Sequence, residues 1–389
     1  MQLIPVSDKS TIHQFLEVPV FIHQDNPRWI RPLDKDIEEV FDPGKNKLFR
    51  GKENQCARWI LRDDSGNNIG RIAVFVNRQY RTAGDKVPVG GMGFFECTND
   101  QQAADFMFDH AGNWLRERGM GAMDGPINFG ERDRWWGLLV EGFHEPLYCM
   151  NYNPPYYQQL FENYGFRVFF NQVCFALTVA DRLQEKIYQR HELLAGNPDF
   201  HAEHFRKKDA DKYAHDFCTV YNKAWAGHAG NKSMELRQAK KIIQSMKPVI
   251  DEDIVWFVYH RGDPIGIWLN LPDLNQWFRH LHGKFGLWQK IKVFWLKNFG
   301  KCSRFVGLVF GIVPEFQGKG IDAFMIVEGA NRILQKTKYA DYEMQWIGDF
   351  NPKMINIAES LGTHRSRRLV TYRYDFDRTG EFKRHPILG

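Results

Sequence analysis

The stretch Val313-Pro314-Glu315-Phe316-Gln317-Gly318-Lys319-Gly320-Ile321-Asp322-Ala323 decides the fold of this chain. An apolar strand is expected to end at Pro314, a glycine-rich turn follows, and an amphipathic helix is predicted to leave from the turn. Such a turn exposes consecutive backbone N–H groups at a helix N-terminus, where the helix dipole adds positive potential. The stretch therefore predicts a site for a phosphate or pyrophosphate, with Lys319 adding positive charge beside it.

Two other interpretations of this stretch compete. In one, the glycines serve only the geometry of a helix cap. In the other, residues 318–323 match the GxGxxA dinucleotide fingerprint, with Glu343 about 20 residues further on. The second is disfavoured because Pro314 to Gln317 separate the strand from the first glycine, and residues 344–389 are too few for the remaining strands. A P-loop is excluded because no GxxxxGK[ST] occurs.

The stretch resembles motif A of the GNAT superfamily of acyl-CoA-dependent N-acyltransferases, whose pattern is Q/R-x-x-G-x-G/A. Gln317 matches the first position and Gly320 the fourth. The resemblance covers most of residues 205–376 and, more weakly, residues 10–180. The whole chain resembles a bacterial branch of tandem-GNAT proteins described as acyltransferases.

The resemblance implies acetyl-CoA or a longer acyl-CoA as co-substrate and a backbone N–H near the end of the fourth strand as oxyanion donor. This chain departs from the pattern at two positions. Asp322 replaces the usual Gly or Ala, and Ala358 stands where many members carry a Tyr that acts as general acid toward the leaving thiolate. The first half has Phe161 at that second position. The cofactor-binding residues implied are Ile312, Val313, Gln317, Gly318, Lys319, Gly320, Ile321, Asp322, Ala323 and Asn351.

An internal repeat links the two halves of the chain. Gly70 and Gly266 lie in two similar predicted β-hairpins, and Gly165 and Gly362 each end a short predicted helix before an apolar strand. Both pairs share nearly the same separation in sequence, which indicates a duplicated domain.

The repeat and the resemblance together predict an α/β (α+β) fold with tandem GNAT-like domains, each a mixed, mostly antiparallel sheet flanked by helices. Residues 1–185 are predicted to form a degenerate domain, because Cys97 to Gln101 contain no glycine where the cofactor loop would lie. Residues 186–389 are predicted to form the domain with the acyl-CoA motif and an insertion at 272–303. The boundary falls in the polar segment from Asp181 to Asp211, which is predicted to be helical.

Composition places the chain among ordinary globular proteins. Its 389 residues are 43% hydrophobic and carry a net charge of +5, which does not indicate nucleic acid as a partner. No apolar run approaches the roughly 20 residues that a membrane span needs, and Met1 to Lys9 lack a signal pattern. The six scattered cysteines form no CxxC pair, so we expect a cytoplasmic protein with reduced thiols and no metal site. His201 and His204 are predicted to be a solvated pair on one helix face.

Glu343 is the candidate general base. It lies on the predicted strand after the cofactor helix, where a carboxylate could take the amine proton through water. Asp341 and Gln345 are alternates on the same strand face. The competing interpretation is a carboxylate at the edge or surface of the sheet.

The insertion from Gly125 to Tyr152 in the first half crowds charges and indoles into a predicted loop. Loops of this composition often bind ligands, and an arginine there suits a carboxylate or phosphate. A structural role as a bridge between the domains is equally consistent. The candidate substrate-binding residues are Arg132, Arg134, Trp135 and Trp136.

The second insertion contains no acid between Leu274 and Arg304 and is rich in Lys, Trp and Phe. Its apolar residues recur at three- and four-residue steps, as on one helix face. A basic amphipathic helix indicates peripheral membrane contact or a lid over an acyl chain. The alternative is a cover helix that buries Trp288, Ile291 and Trp295 against the neighbouring domain.

We therefore expect an acyl-CoA-dependent N-acyltransferase acting on a small-molecule or lipid-like amine, with a long acyl donor favoured, in the cytoplasm or at a membrane surface. One alternative is a non-catalytic binding or sensor protein that retains the GNAT fold. Another is a transferase that uses an acyl carrier protein or an aminoacyl donor.

Overall fold

The computed structural model describes residues 1–82, 84–225, 233–336 and 338–388. The strands in these residues are β1 (Gln2–Pro5), β2 (Gln55–Arg62), β3 (Asn68–Val76), β4 (Val89–Cys97), β5 (Ala122–Gly125), β6 (Leu138–Glu141), β7 (Arg167–Thr178), β8 (Phe200–His204), β9 (Trp256–His260), β10 (Asp263–Pro272), β11 (Arg304–Ile312), β12 (Asp341–Met344), β13 (Ile347–Gly348) and β14 (His364–Asp375). The α-helices are α1 (Lys9–Ile22), α2 (Asp34–Phe41), α3 (Gln101–Arg116), α4 (Tyr157–Tyr164), α5 (Glu185–Ala195), α6 (Ala210–Ala224), α7 (Leu236–Met246), α8 (Asn275–Phe278), α9 (Leu287–Phe299), α10 (Ile321–Lys336) and α11 (Pro352–Ser360).

One continuous sheet runs through both halves, in the order β1-β2-β3-β4-β5-β14-β7-β12-β11-β10-β9-β8. The short strands β6 and β13 pair with β14 and β7. Among the described strands, only β4–β5 and β11–β12 pair in parallel. The predicted fold class is confirmed, and so are the two hairpins, which are β2–β3 and β9–β10.

The closing strands of the two halves are exchanged. The last strand of the first half, β7, pairs with β12, while the last strand of the second half, β14, pairs with β5. The exchanged strands pair with each other in the middle of the sheet, where Thr371 donates to Gln172 at 2.9 Å. The predicted domain boundary between residues 185 and 186 separates the two sequence repeats. Strands of both repeats nevertheless belong to one sheet.

Local signals account for the elements around the two parallel pairs. The Asp100 side chain accepts the N–H groups of Gln102 and Ala103 and so begins α3. Asn351 caps α11 in the same way, and Pro352 follows at the first helical position, where its missing N–H costs nothing. Gly165 adopts φ +107° directly after α4, a conformation that favours glycine.

The segment from Asp181 to Asp211 is only partly helical, which corrects the prediction. Residues Phe200–His204 form β8, the outer strand beside β9, and His201 and His204 therefore lie on a strand rather than on a helix. The polar composition of this strand reflects its edge position, because one side of it faces solvent.

No helix in the described ranges is long and apolar enough to cross a bilayer. The same residues contain no group of three or more His, Cys, Asp or Glu side chains placed to hold a metal ion.

Candidate active site

A gap opens in the sheet between β11 and β12. The two strands pair only from Arg304 opposite Asp341 to Gly307 opposite Met344. Beyond that point β11 continues along β10 as far as Ile312, while the chain after β12 turns away to pair with β7 through β13. A register shift in β10–β11 leaves Leu308 unpaired at the start of the gap. The parallel pair is thus splayed into a wedge.

The wedge passes through the sheet. A Cβ at Gly266 would face Ile321 of α10, whereas a Cβ at Gly311 would face Trp225 beside α6, so the two helices cover opposite faces. A cavity of about 90 Å³ lies on the α10 side and another of about 420 Å³ on the α6 side. Both cavities are lined by the same six residues of the gap, which are Trp268, Phe310, Tyr342, Met344, Ile347 and Met354.

The cavity on the α10 side is lined almost wholly by apolar side chains. Ala330 and Ile333 of α10, and Ile357 and Ala358 of α11, form its walls. Tyr342 contributes its ring, while its hydroxyl accepts the indole N–H of Trp268 at 3.2 Å. A chain of methylene groups is the ligand that such a lining favours.

The predicted cofactor loop follows the end of β11, on the open side of the wedge. The Val313 N–H donates to Ile265 O at 2.9 Å and is used in the sheet. Because backbone direction alternates along a strand, the Ile312 N–H points the other way, into the gap. The side chain of Gln317 donates to Ile312 O at 2.9 Å and covers that carbonyl.

The turn itself offers free donors. Within the described part of the chain, the six consecutive N–H groups of residues 318–323 have no acceptor. Gly318 adopts φ +74° with open space around it, and the buried side chains of Ile321 and Ala323 fix the start of α10 below. Lys319 lies 5.4 Å from the ring centre of Phe316. This arrangement suits an anionic group with several oxygen atoms.

Asp322 does not leave an unbalanced negative charge at this turn. Arg190 of α5 contacts its carboxylate at 2.6 Å. The same helix packs against Gly320, where an added Cβ would lie 3.3 Å from Arg190 O. Gly320 is therefore required by the packing of α5 and by its φ of +87°, whatever the turn binds.

Glu343, the candidate base, is held in a buried ion pair. It is 2% exposed, and the Arg367 guanidinium contacts its two oxygens at 2.7 and 2.9 Å. Ser366 donates to it at 2.8 Å. Burial opposes ionisation, but His144 and Arg367 hold the pKa of Glu343 well below its usual range. A carboxylate so occupied accepts a substrate proton poorly.

The two other candidates for the general base, Asp341 and Gln345, are not placed to accept a proton in the wedge. Asp341 lines a separate cavity with Glu343 and Arg304, and Gln345 lines the wide cavity but has no proton to exchange. Asn351 caps α11 by accepting the Met354 N–H at 3.3 Å and also lines the wide cavity.

The four candidates in the first insertion belong to the first half. Trp135 and Trp136 are buried in its core beside Phe129 and Phe75. The Arg132 guanidinium lies 5.6 Å from the ring centre of Trp136. The remaining candidate is half-buried Arg134, and none of the four lines either wedge cavity in the described chain.

On the α3 side the matching gap of the first half is filled, whereas a cavity of about 60 Å³, lined by Phe94, Glu96 and Tyr157, lies on the side of α1 and α2. Register makes Cys97 the counterpart of Ile312, because Cys97 pairs with Gly70 as Ile312 pairs with Gly266. The Cys97 N–H donates to the hydroxyl of Tyr157 at 2.8 Å, and that hydroxyl also donates to Glu96.

Two features of the site escaped sequence reasoning. The ion pair partners Arg190 and Arg367 were not singled out, since nothing local links Arg190 to Asp322 or Arg367 to Glu343. The apolar cavity was also missed, although Ala358 in place of a larger residue was a signal for it.

Known proteins similar in sequence or in structure share features of this chain. No protein-family model matches the chain. A protein of Caulobacter vibrioides named bacterial ceramide synthase is 26% identical over 374 residues, covering 94% of this chain and 95% of its own. Protein YghO of Escherichia coli is 22% identical over 381 residues, covering 94% and 93%.

Two solved structures share the architecture. A tandem GNAT protein from the clavulanic acid biosynthesis pathway matches with a TM-score of 0.54 at 11% identity, over 97% of this chain and 99% of its own. A GCN5-related glucosamine N-acetyltransferase region of a fungal β-N-acetylglucosaminidase matches with a TM-score of 0.55 at 13% identity, over 96% and 38%. Together with the splayed strands and the glycine turn, these matches show that the chain has the tandem GNAT fold.

Proposed function

We propose that this chain transfers a long acyl group from acyl-CoA to a lipid-like amine. The observation that carries the proposal is that α10 joins two features: the N–H groups of residues 318–323 at its start, which have no acceptor in the described chain, and an apolar cavity lined by its residues Ile326, Ala330 and Ile333. The donors suit the diphosphate of CoA, and the apolar lining of the cavity suits methylene groups of an acyl chain.

The reaction makes an amide from a thioester. The amine nitrogen attacks the thioester carbonyl, the C–N bond forms and the C–S bond breaks, so that CoA leaves as its thiolate and takes up, through solvent, the proton that the amine loses. In this chain, the Ile312 N–H faces the gap and would hold the carbonyl oxygen as negative charge develops on it. Gln317 and the turn of Gly318 to Ala323 would hold the donor, and the wide cavity on the α6 side would admit the amine.

One relative's name and the fold support acyl transfer. The Caulobacter vibrioides relative is named a ceramide synthase, and a ceramide is a fatty amide of a long-chain amino alcohol. The tandem GNAT fold supports CoA thioesters as the class of donor. An apolar acyl group is also what the lining by Ile333, Ile357 and Ala358 favours.

Titration calorimetry with acetyl-CoA and palmitoyl-CoA, followed by mass spectrometry of reaction mixtures, tests the proposal. We expect palmitoyl-CoA to bind at least tenfold more tightly and to give an amide with a long-chain amino alcohol. Binding without amide formation for any amine would support the non-catalytic sensor instead. Absence of binding to both thioesters would refute the proposal and favour an acyl carrier protein or aminoacyl donor.

A further inference from the structure

Helix α9 presents large apolar side chains to solvent. None of its residues is buried. The alternative interpretation, in which this helix buries its apolar residues against the neighbouring domain, is wrong, because Trp288, Ile291 and Trp295 are 79, 50 and 57% exposed. The exposed apolar residues of this helix are Leu287, Trp288, Ile291, Phe294, Trp295 and Phe299.

These side chains form one continuous face. At about 100° per residue, the six fall within an arc of roughly 140° around the helix. On the opposite side, Val293 and Leu296 pack against the core of the second half. Lys292 donates to His280 O at 2.9 Å and Lys297 donates to Pro248 O, which fastens the helix to the protein. The apolar face is therefore held outward on a supported helix.

Positive charge borders the apolar face on both sides. Lys292 lies along one edge of the arc, and Lys290 and Lys297 lie along the other, by the same helical spacing. Lys284 and Lys301 are exposed at the two ends of the helix. No acid occurs between Leu274 and Arg304 to offset them. We propose that α9 docks the protein on an anionic lipid bilayer, with its apolar face among the acyl chains and its lysines at the headgroups.

Charge and shape favour this occupant over others. A second copy docked by two-fold symmetry would bring the same lysine borders together, and they would repel. A nucleic acid would pair with the lysines, but most of the apolar face of α9 would then contact phosphates and water. A bilayer with anionic headgroups matches both parts, because indoles and lysines both settle at its interface.

The docking face and the proposed donor loop lie at opposite ends of β11. The insertion that carries α9 ends where β11 begins at Arg304, and the loop starts after β11 ends at Ile312. A strand of this length spans about 30 Å. Docking through α9 would thus leave the loop uncovered, so that a soluble thioester can reach it. The docking proposal does not depend on acyl transfer.

Vesicle sedimentation tests the proposal with the whole chain. We expect co-sedimentation with vesicles of phosphatidylcholine and phosphatidylglycerol at 7:3 in 50 mM KCl, and little with phosphatidylcholine alone. Raising KCl to 500 mM should release at least half of the bound protein, because salt shortens the reach of the lysine charges. Equal sedimentation with both vesicle types, or with neither, would overturn the proposal.

Two variants and a matched control locate the contact. Replacing Lys284, Lys290 and Lys301 by Glu should weaken partitioning at least about 100-fold, since each lysine contributes roughly a factor of five. These three residues were chosen because they do not fasten α9 to the core. The control replaces three exposed lysines of the first half by Glu, giving the same net charge, and should bind as the wild type does: Lys9, Lys52 and Lys86.

The second variant, Trp288→Ser with Phe294→Ser, removes apolar contact without changing charge. We expect at least tenfold weaker partitioning, with an unchanged circular dichroism spectrum and thermal midpoint. If the charge-matched control loses binding as fully as the α9 variants, the attraction is nonspecific and α9 is not the docking face. Unchanged partitioning of the serine variant would contradict insertion of the helix.

Discussion

In the first half of the chain the end of β4 meets two tyrosines, whereas in the second half the end of β11 meets an open gap and a glycine turn. The Cys97 N–H donates to Tyr157, and Tyr156 donates to Cys97 O at 2.7 Å. In the described chain, Gln317 covers the carbonyl of the counterpart Ile312, while the Ile312 N–H faces the gap. In the proposed function, the Tyr157 hydroxyl occupies the place that the acyl oxygen would take in the second half.

The same contrast extends to the helices that follow. In the first half, the Asp100 carboxylate fills the N-terminus of α3. In the second, Gly318 and Gly320 adopt positive φ, and the N–H groups of residues 318–323 at the start of α10 have no acceptor among the described residues. Phe161 is fully buried and fills the first gap, while its counterpart Ala358 leaves a cavity. One duplicated framework thus packs the α3 side in the first half, beside a cavity of about 60 Å³ on the α1 side, and opens cavities on both faces of the sheet in the second.

One feature is common to both halves. Arg373 of β14 donates two hydrogen bonds to Asp124 on β5, at 2.6 and 2.9 Å. Arg367 does the same to Glu343 on β12. An acid on this strand is therefore present where no cofactor loop exists, which supports a structural role for it.

The largest expected effect tests that shared feature. Glu343→Gln leaves the buried Arg367 without its counter-charge and should lower the free energy of unfolding by about 3 kcal/mol at pH 7. The pKa of Glu343 is lowered in the folded protein, so its contribution is present above the unfolded pKa and is lost as pH falls below it. Urea unfolding at pH 7 and pH 3 should show the difference from wild type shrink at pH 3.

Asp124→Asn is the corresponding variant in the first half and should cost less at pH 7, because Arg373 keeps its ion pair with Asp85 at 2.7 Å and burial already raises the pKa of Asp124. A Glu343→Gln protein that keeps wild-type stability but loses acyl transfer would contradict the structural role and return Glu343 to the position of general base.

Filling the second gap should erase the difference between the halves. Ala358→Phe places the residue of the first half into the apolar cavity and should weaken palmitoyl-CoA binding by about 100-fold, which is close to 2.7 kcal/mol. Binding of CoA without an acyl group should not change, because the N–H groups of the turn stay free. Calorimetry with both ligands measures the two effects, and the thermal midpoint checks the fold. Equal losses for both ligands would place the acyl chain elsewhere.

The smallest expected effect concerns charge at the turn. Asp322→Asn frees Arg190 beside the N–H groups of residues 318–323 and should tighten CoA binding about fivefold, or about 1 kcal/mol for one solvent-screened charge. The double variant with Arg190→Met should return affinity toward that of the wild type. Weaker binding in Asp322→Asn would show that the carboxylate helps to hold the turn.

Much of this architecture follows from local patterns. The glycine turn at 318–320, the two hairpins, the repeat and the exposed amphipathic spacing of α9 were all predictable, because backbone preference and apolar period act over a few neighbouring residues. The strand β8 was missed because an edge strand needs only one buried side, so its polar composition resembles that of a solvated helix.

What the sequence by itself determined is the GNAT-like turn, the order of the elements and the half that carries the turn. Only the tertiary structure decided that β7 and β14 exchange places, that Arg190 neutralises Asp322, and that Ala358 borders a cavity while Phe161 fills one. The physical reason is range. The apolar period of an element and the residue preference of a turn depend on residues adjacent in sequence. Ion pairs and cavities depend on side chains that only the folded chain brings together.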